Sequence, residues 1–312
     1  MRPTAYISEI SFSGGQIYQF DAKEKILLVG SNNSGKSQTL REIVGSSKDG
    51  KFERNHVVKG LKIEKTGKSS DLKAFLEEEA DLVGVTYHYE SWQIPGLHIQ
   101  FWDEPLLLHS LSDGYIKNIA AESRLTICNQ QNSISPGEQI KVPQHLLYDS
   151  QSLMTKISDL FKKAFGHAIF FNFRGGSKLP IHVGEVSSGS EVDRVSDSYV
   201  EEVRKNPLLD KQGDGMKSYA GILFEAVVSN KNITLIDEPE AFLHPPQMRR
   251  LGETLAQEVD GQLFVATHSS EIMRGFLEGT KGNVRILRIS RIGEINFVTE
   301  AGLTPENRTA PF

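Results

Sequence analysis

The sequence predicts an α/β protein built on a mostly parallel sheet, and three stretches carry that prediction. The apolar run Lys25–Val29 leads directly into Gly30-Ser31-Asn32-Asn33-Ser34-Gly35-Lys36-Ser37. After it, Leu40, Ile43 and Val44 take the i, i+3, i+4 spacing of a helix with one buried side. A second apolar run, Ile233-Thr234-Leu235-Ile236, ends in Asp237-Glu238, and a third, Leu263–Thr267, ends at His268-Ser269-Ser270. Strands that are apolar throughout suit a parallel sheet buried on both faces.

The first stretch has the G-x4-G-K-S/T pattern of a phosphate-binding loop. Such a loop turns successive backbone N–H groups toward a nucleotide's phosphates, with Lys36 for the β and γ charge and the Ser37 hydroxyl for Mg2+. A nucleoside triphosphate ligand is expected. In the second stretch Asp237 is placed to hold the metal through its water shell. Glu238 is placed to orient or deprotonate the water that attacks the γ-phosphate. His268 ends a parallel strand, where ligands bind in open α/β folds, and reads as a γ-phosphate sensor. A fourth feature, Gln212-Gly213-Asp214-Gly215-Met216-Lys217-Ser218, is a glycine turn leading into a helix with the apolar stripe Tyr219, Ile222, Leu223, Ala226 and Val227. Its N-terminal N–H groups either face an anion or are capped by Asp214.

Taken in order, Ile7–Phe12 and Gln16–Phe20 read as strands around a Ser13-Gly14-Gly15 turn, an antiparallel layer beside the nucleotide. Residues 48–68 hold seven basic side chains against three acidic ones. That patch reads either as a DNA-contacting surface or as a solvated hairpin whose lysines protect a sheet edge. Asp71–Leu82 is expected to be a helix, with strands at Gly84–Trp92 and Leu97–Trp102 separated by Ile94-Pro95-Gly96. Leu125–Asn129 is a further strand candidate, and Gln130–Gln144 reads as loop. A helix over Leu153–Phe165 stops at Gly166, Ala168–Phe173 is a strand, Ser187–Ser190 a linker, and Asp197–Arg204 a helix.

The 312 residues suit one large domain, with a nucleotide-binding core at 1–47 and 205–312 and an inserted α+β region at 48–204. A net charge of −5 gives no overall attraction to nucleic acid, so any DNA contact must be local. Cys128 is the only cysteine, which excludes an internal disulfide and a cysteine-based zinc site and suits a reducing cytoplasm. No apolar stretch has the length to cross a bilayer, and the N-terminus lacks a signal peptide's apolar core. A cytoplasmic location and no membrane partner are expected. Histidine spacing offers no H-E-x-x-H site, and the chain contains no G-x-S-x-G elbow.

The order of phosphate loop, glycine-led helix, Asp-Glu strand and histidine resembles an ABC-type ATPase head of the SMC and RecF-like kind. Asp237-Glu238-Pro239-Glu240-Ala241-Phe242-Leu243-His244-Pro245, followed by Ala266-Thr267-His268-Ser269, resembles more specifically the ATP-binding region of the OLD (overcoming lysogenization defect) family. The resemblance implies ATP and Mg2+ as cofactors. It implies a head-to-tail homodimer with two ATPs held between the phosphate loop of one subunit and the glycine-led helix of the other. Carried over, Gly30, Ser31, Asn32, Asn33, Ser34, Gly35, Lys36, Ser37 and Gln38 bind nucleotide, Ser37 and Asp237 serve the metal, and Lys36, Glu238 and His268 act in hydrolysis. Gly213, Gly215, Lys217 and Ser218 reach across the interface, with Glu240 and His244 in a subunit-contacting loop.

Gly213-Asp214-Gly215 departs from the family's Ser-Gly-Gly, and the glutamine expected before the insertion has no clear counterpart. OLD nucleases continue into a TOPRIM domain with an Asp-x-Asp pair that this sequence, which stops at Phe312, lacks, so the expectation is either a piece of such a nuclease with a C-terminally fused effector or a protein that works with a separate effector such as a nuclease. Function is read as an ATP-hydrolysing dimeric switch in anti-phage defence or DNA maintenance. The alternative is a weakly hydrolysing ATP-dependent scaffold that recruits or restrains a toxin. A transporter subunit fits poorly, because its two nucleotide motifs lie closer together than Lys36 and Asp237.

Overall fold

Lys25–Val29 is buried at every position, and so is Gln262–Ala266, because both are central strands of one six-stranded sheet. In a computed structural model describing residues 1–135, 138–186 and 193–301, the strand order is Ile295–Glu300, Arg285–Ile292, Lys25–Val29, Gln262–Ala266, Ile233–Asp237 and Ile116–Ile119. All pairings are parallel except the terminal hairpin of Arg285–Ile292 with Ile295–Glu300. The mostly parallel α/β core expected from the sequence is thus present.

Alternation splits these strands between two cores. Leu27, Val29, Ile236, Leu263 and Val265 pack with the helices Gln151–Phe165, Asp214–Ile222, Pro245–Glu258 and Ser270–Gly279. Ile26, Leu28, Leu235, Phe264 and Ala266 face the other way, toward the Lys36–Asp49 helix and an antiparallel layer. That layer is three-stranded, with Ala5–Phe12 between Ile17–Gln19 and Val58–Lys65. The buried Gln262 amide joins layer to sheet by imitating a strand partner: it accepts from Ile7 N at 2.9 Å and donates to Ile7 O at 2.8 Å.

Several expected elements differ. Leu97–Trp102 lies in a 3-10 helix, Gly96–Asp103, because its buried residues are Ile99 and Trp102, three apart, while Leu97 is exposed. Leu125–Asn129 is the end of a helix, Ala121–Thr126, and the turn after it; the strand in this region is Ile116–Ile119. The helix expected over 71–82 runs from Ser69 to Glu79, and Asp81–Val83 pairs with Thr86–Tyr89 in a small sheet that Trp92–Pro95 completes. Gln130–Gln144 holds a two-residue strand at Gln131–Asn132 and the start of a helix, Pro143–Asp149. Helices Gln151–Phe165, capped by the Ser150 hydroxyl, and Asp197–Arg204 lie close to their expected places. The linker Ser187–Ser190 and the chain end at Phe312 lie outside the described residues. Two strands from segment 48–204, Val58–Lys65 and Ile116–Ile119, belong to the layer and the central sheet, so the expected core and insertion are interwoven.

Candidate functional site

The phosphate loop is held in a shape that only its glycines permit at two points. Gly30 has φ +151°, and a Cβ there would lie 2.2 Å from the Ile289 carbonyl oxygen. Gly35 has φ +103°, and its Cβ would meet Asn296 Nδ2 at 2.7 Å. The helix Lys36–Asp49 starts after Gly35 with no side-chain cap, so its first N–H groups point into the loop's hollow. The Lys36 ammonium bends back over that hollow and donates to Gly30 O at 3.0 Å and Ser31 O at 2.9 Å.

The acidic strand meets the loop at its metal end. Ser37 Oγ donates to Asp237 Oδ1 at 2.7 Å across 200 positions of sequence. Burial raises the Asp237 carboxyl above its ordinary range, the neighbouring Glu238 adds to the rise, and the Ser37 hydrogen bond opposes it. A cation at this point would reverse that shift. Two adjacent hard oxygen donors fit Mg2+, which keeps several waters and takes its remaining ligands from phosphates.

Glu238 adopts φ +46°, the left-handed region, and is half exposed. His268 Nδ1 lies 4.0 Å from Glu238 Oε1 and 3.1 Å from Oε1 of Glu240, which also accepts from His268 N at 2.9 Å. Glu240 is buried, and its second oxygen has no hydrogen-bond partner in the described structure. Asn32, Asn33, Ser34, Gly35, Lys36, Ser37, Gln38, Glu238 and His268 line one open cleft of about 880 Å³. Gly30, Ser31 and Asp237 stand behind them, joined through the Lys36 and Ser37 bonds.

The glycine-led helix Asp214–Ile222 contributes nothing to the cleft of its own chain. Gly213 and Asp214 are exposed, but Lys217 is paired with Asp214 at 2.7 Å. Ser218 does not fit the intersubunit role expected for it: it is fully buried, with its hydroxyl donated to Ala241 O at 3.2 Å. That bond fastens the helix to the loop after the acidic strand. Gly215 closes the same junction, since a Cβ there would approach Phe242 O to 2.8 Å.

Residues 103–274, more than half the chain, match the family model described as "AAA domain, putative AbiEii toxin, Type IV TA system". The chain belongs to this family. Its fold is similar to an Smc head crystallised with the C-winged helix domain of ScpA, at 12% identity, TM-score 0.55, covering 96% of this chain and 98% of that one. It is also similar to an Smc head with extended coiled coil bound to the C-terminal domain of ScpA, derived from Pyrococcus furiosus. There the identity is 11%, the TM-score 0.58 and the coverage 96% and 97%. At these identities the likeness establishes the α/β head fold. No curated protein matches the chain.

In this AAA-domain protein several site residues carry no sequence motif. Asn296, buried on the terminal hairpin, donates from Nδ2 to Ser34 O at 2.5 Å and binds Ser13 Oγ through its own N–H. Glu42, also buried, accepts from the N–H groups of His56, Val57 and Val58 at 2.7, 2.9 and 2.8 Å, and so holds His56 and Val57 in the cleft wall. Arg41 and Arg291 add cationic walls to the same cleft. Arg124, fully buried, donates to the carbonyls of both Asp237 and Glu238. No sequence signal marks Arg124, which sits in the helix Ala121–Thr126 just before the stretch expected as a strand at Leu125–Asn129.

Several of the basic side chains in 48–68 make internal contacts. Lys65 donates to the carbonyls of Trp102, Glu104 and Leu106, Lys62 pairs with Glu9 at 2.8 Å, and Lys48 pairs with Asp113 at 2.8 Å. Among the described residues no helix is long and apolar enough to cross a membrane.

Proposed function

We propose that this protein binds and hydrolyses ATP with Mg2+, and that it works as a dimer closed around two nucleotides. The observation that carries the reading is the convergence on one cleft of Lys36, the Ser37–Asp237 pair, Glu238 and His268. In this reading the loop's N–H groups and Lys36 hold the β and γ phosphates. Ser37 and Asp237 hold the metal, which when bound supplies charge neutralisation for the transferred phosphoryl group. Glu238 orients the attacking water, and His268, steadied by buried Glu240, contacts the γ-phosphate. The cleft of one subunit is open, which leaves room for a second subunit to close over the nucleotide. The exposed turn at Gly213 would approach a second subunit's triphosphate, with Lys217 exchanging its half-exposed partner Asp214 for phosphate, while the Ser218 hydroxyl stays bound to Ala241 O.

The finer reading is a single head domain of OLD or RecF-like type in anti-phage defence or DNA maintenance, acting with a separate or fused effector. The family description, with its toxin of a toxin–antitoxin system, supports an effector partnership. DNA contact would fall to those basic groups of 48–68 that no carboxylate neutralises.

Titration of the protein with ATP and Mg2+ tests the assignment. Binding that disappears in Lys36→Ala is expected; equal affinity of the two would overturn it. A second reading, a scaffold that binds ATP and scarcely hydrolyses it, draws support from the buried Ser218 and the atypical glycine turn. It predicts stable ATP-dependent dimers with no measurable phosphate release.

A further inference from the structure

Arg124 occupies a place that the site chemistry does not explain. Its guanidinium is fully buried, yet among the described residues it makes no direct ion pair: Nη1 donates to Asp237 O at 3.0 Å and Nη2 to Glu238 O at 2.7 Å, while Nε has no hydrogen-bond partner there. Burial lowers its pKa to about 10, and the carboxylates of Glu240, Asp237 and Glu238 favour its charge.

Those two carbonyls flank the φ and ψ rotations of Glu238. Clamping both in one planar fork fixes the relative tilt of the peptides on either side, and with it the left-handed conformation that aims the Glu238 carboxylate. A glutamate is not ordinarily stable in that conformation, and the clamp acts with the Glu238 N–H bond to Ala266 O at 2.9 Å and the Ala241 N–H bond to Glu238 O at 3.0 Å to retain it.

The other side of Arg124 rests on the glycine-led helix. A Cβ on Gly221 would lie 2.0 Å from Arg124 O, so the two backbones are in direct contact. Cys128 Sγ bridges the same junction, 3.1 Å from Lys217 O and 3.6 Å from Arg124 O. Beyond Ile222 this helix widens into a π-helical turn, Leu223–Val228, a form often found where a helix carries function.

We propose that Arg124 is a positioning residue that couples the glycine-led helix to Glu238, so that seating of a second subunit's triphosphate on that helix sets the water-activating carboxylate. This rests on the ATPase reading above. The contact chain runs from Lys217 and Gly221 through the backbone of 121–128 to the Arg124 fork, and from there to the peptides around Glu238.

The test compares wild type, Arg124→Lys and Gly221→Ala for ATP affinity and for steady-state phosphate release. Lysine keeps the charge but cannot bridge two carbonyls, and the alanine methyl forces the helices apart. Each variant is expected to bind ATP within threefold of wild type while kcat falls at least tenfold, a split that general destabilisation does not produce. A kcat within twofold of wild type in either folded variant overturns the coupling. Amide exchange on the wild type gives a readout that survives any folding failure. Segments 121–128 and 237–243 should slow together when the ATP-bound dimer forms, and slowing of one alone overturns the proposal. If wild type neither binds nor hydrolyses ATP, the functional reading falls and this one with it. If wild type hydrolyses ATP and Arg124→Lys does so equally fast, only the coupling fails.

Discussion

Replacing Asn296 by alanine removes the side chain that braces the phosphate loop from the far end of the chain. The 2.5 Å bond from Asn296 Nδ2 to Ser34 O is buried, so the truncation leaves a carbonyl without its partner. Such a loss costs about 1–3 kcal/mol. Taking about 2 kcal/mol, and with the loop having to be re-ordered on binding, ATP affinity should weaken roughly 30-fold. The midpoint of thermal unfolding should fall by a few degrees. Asn296→Asp should bind ATP more weakly still, because it sets a carboxylate against a carbonyl beside the triphosphate. Titration calorimetry with ATP and Mg2+, paired with a melting curve, measures both quantities. Affinity within twofold of wild type alongside the expected drop in melting temperature would refute the reasoning, and would reduce the hairpin to a structural prop.

Three further outcomes are expected. Burial, with Arg2 and Lys117 nearby and only Glu90 and Asp113 opposing, lowers Lys231 to about 7, so its charged form is penalised in the folded state. The unfolded chain therefore binds more protons, and stability should rise as pH climbs from about 7 toward about 10; Lys25 and Lys65, each lowered to about 8, add slopes of the same sign. Lys231→Met should stabilise the protein at pH 6 and flatten that rise in denaturant titrations, and an unchanged slope would contradict the assignment. Cys128 is buried, with its thiol pushed up to about 12, so a maleimide at pH 8 should modify it only after unfolding, as mass spectrometry would show. Lys65→Glu should lower the melting temperature, because it removes donors from three carbonyls and sets a carboxylate against them; an unchanged melt would show those contacts to be dispensable.

What could be read from the sequence was whatever the chain encodes contiguously. The phosphate loop, the Asp237-Glu238 strand end and the His268 strand end each carry their chemistry within a few residues. Their order along the chain also indicates a parallel sheet with loops at one edge. Asn296, Arg124 and Glu42 were invisible because their partners are distant in sequence and because a lone asparagine, arginine or glutamate has no signature. Leu97–Trp102 was misread because its apolar residues suit both an alternating and a three-residue period, and only the burial of Ile99 and Trp102 decides between them. Ile116–Ile119 was missed because four residues are too few to display any period. Ser218 was expected at an interface, whereas its hydroxyl satisfies a carbonyl of its own chain, a contact that only the folded junction reveals.

In the proposed function Lys36, Asp237, Glu238 and His268 would surround one magnesium triphosphate and cleave it. Phosphate release and solution mass of wild type, Lys36→Ala and Glu238→Gln, measured with ATP and Mg2+, test it most directly. Glu238→Gln should bind ATP, slow turnover by about 100-fold or more and accumulate a nucleotide-bound dimer, while Lys36→Ala should neither bind nor dimerise. Equal turnover in all three proteins would contradict the account.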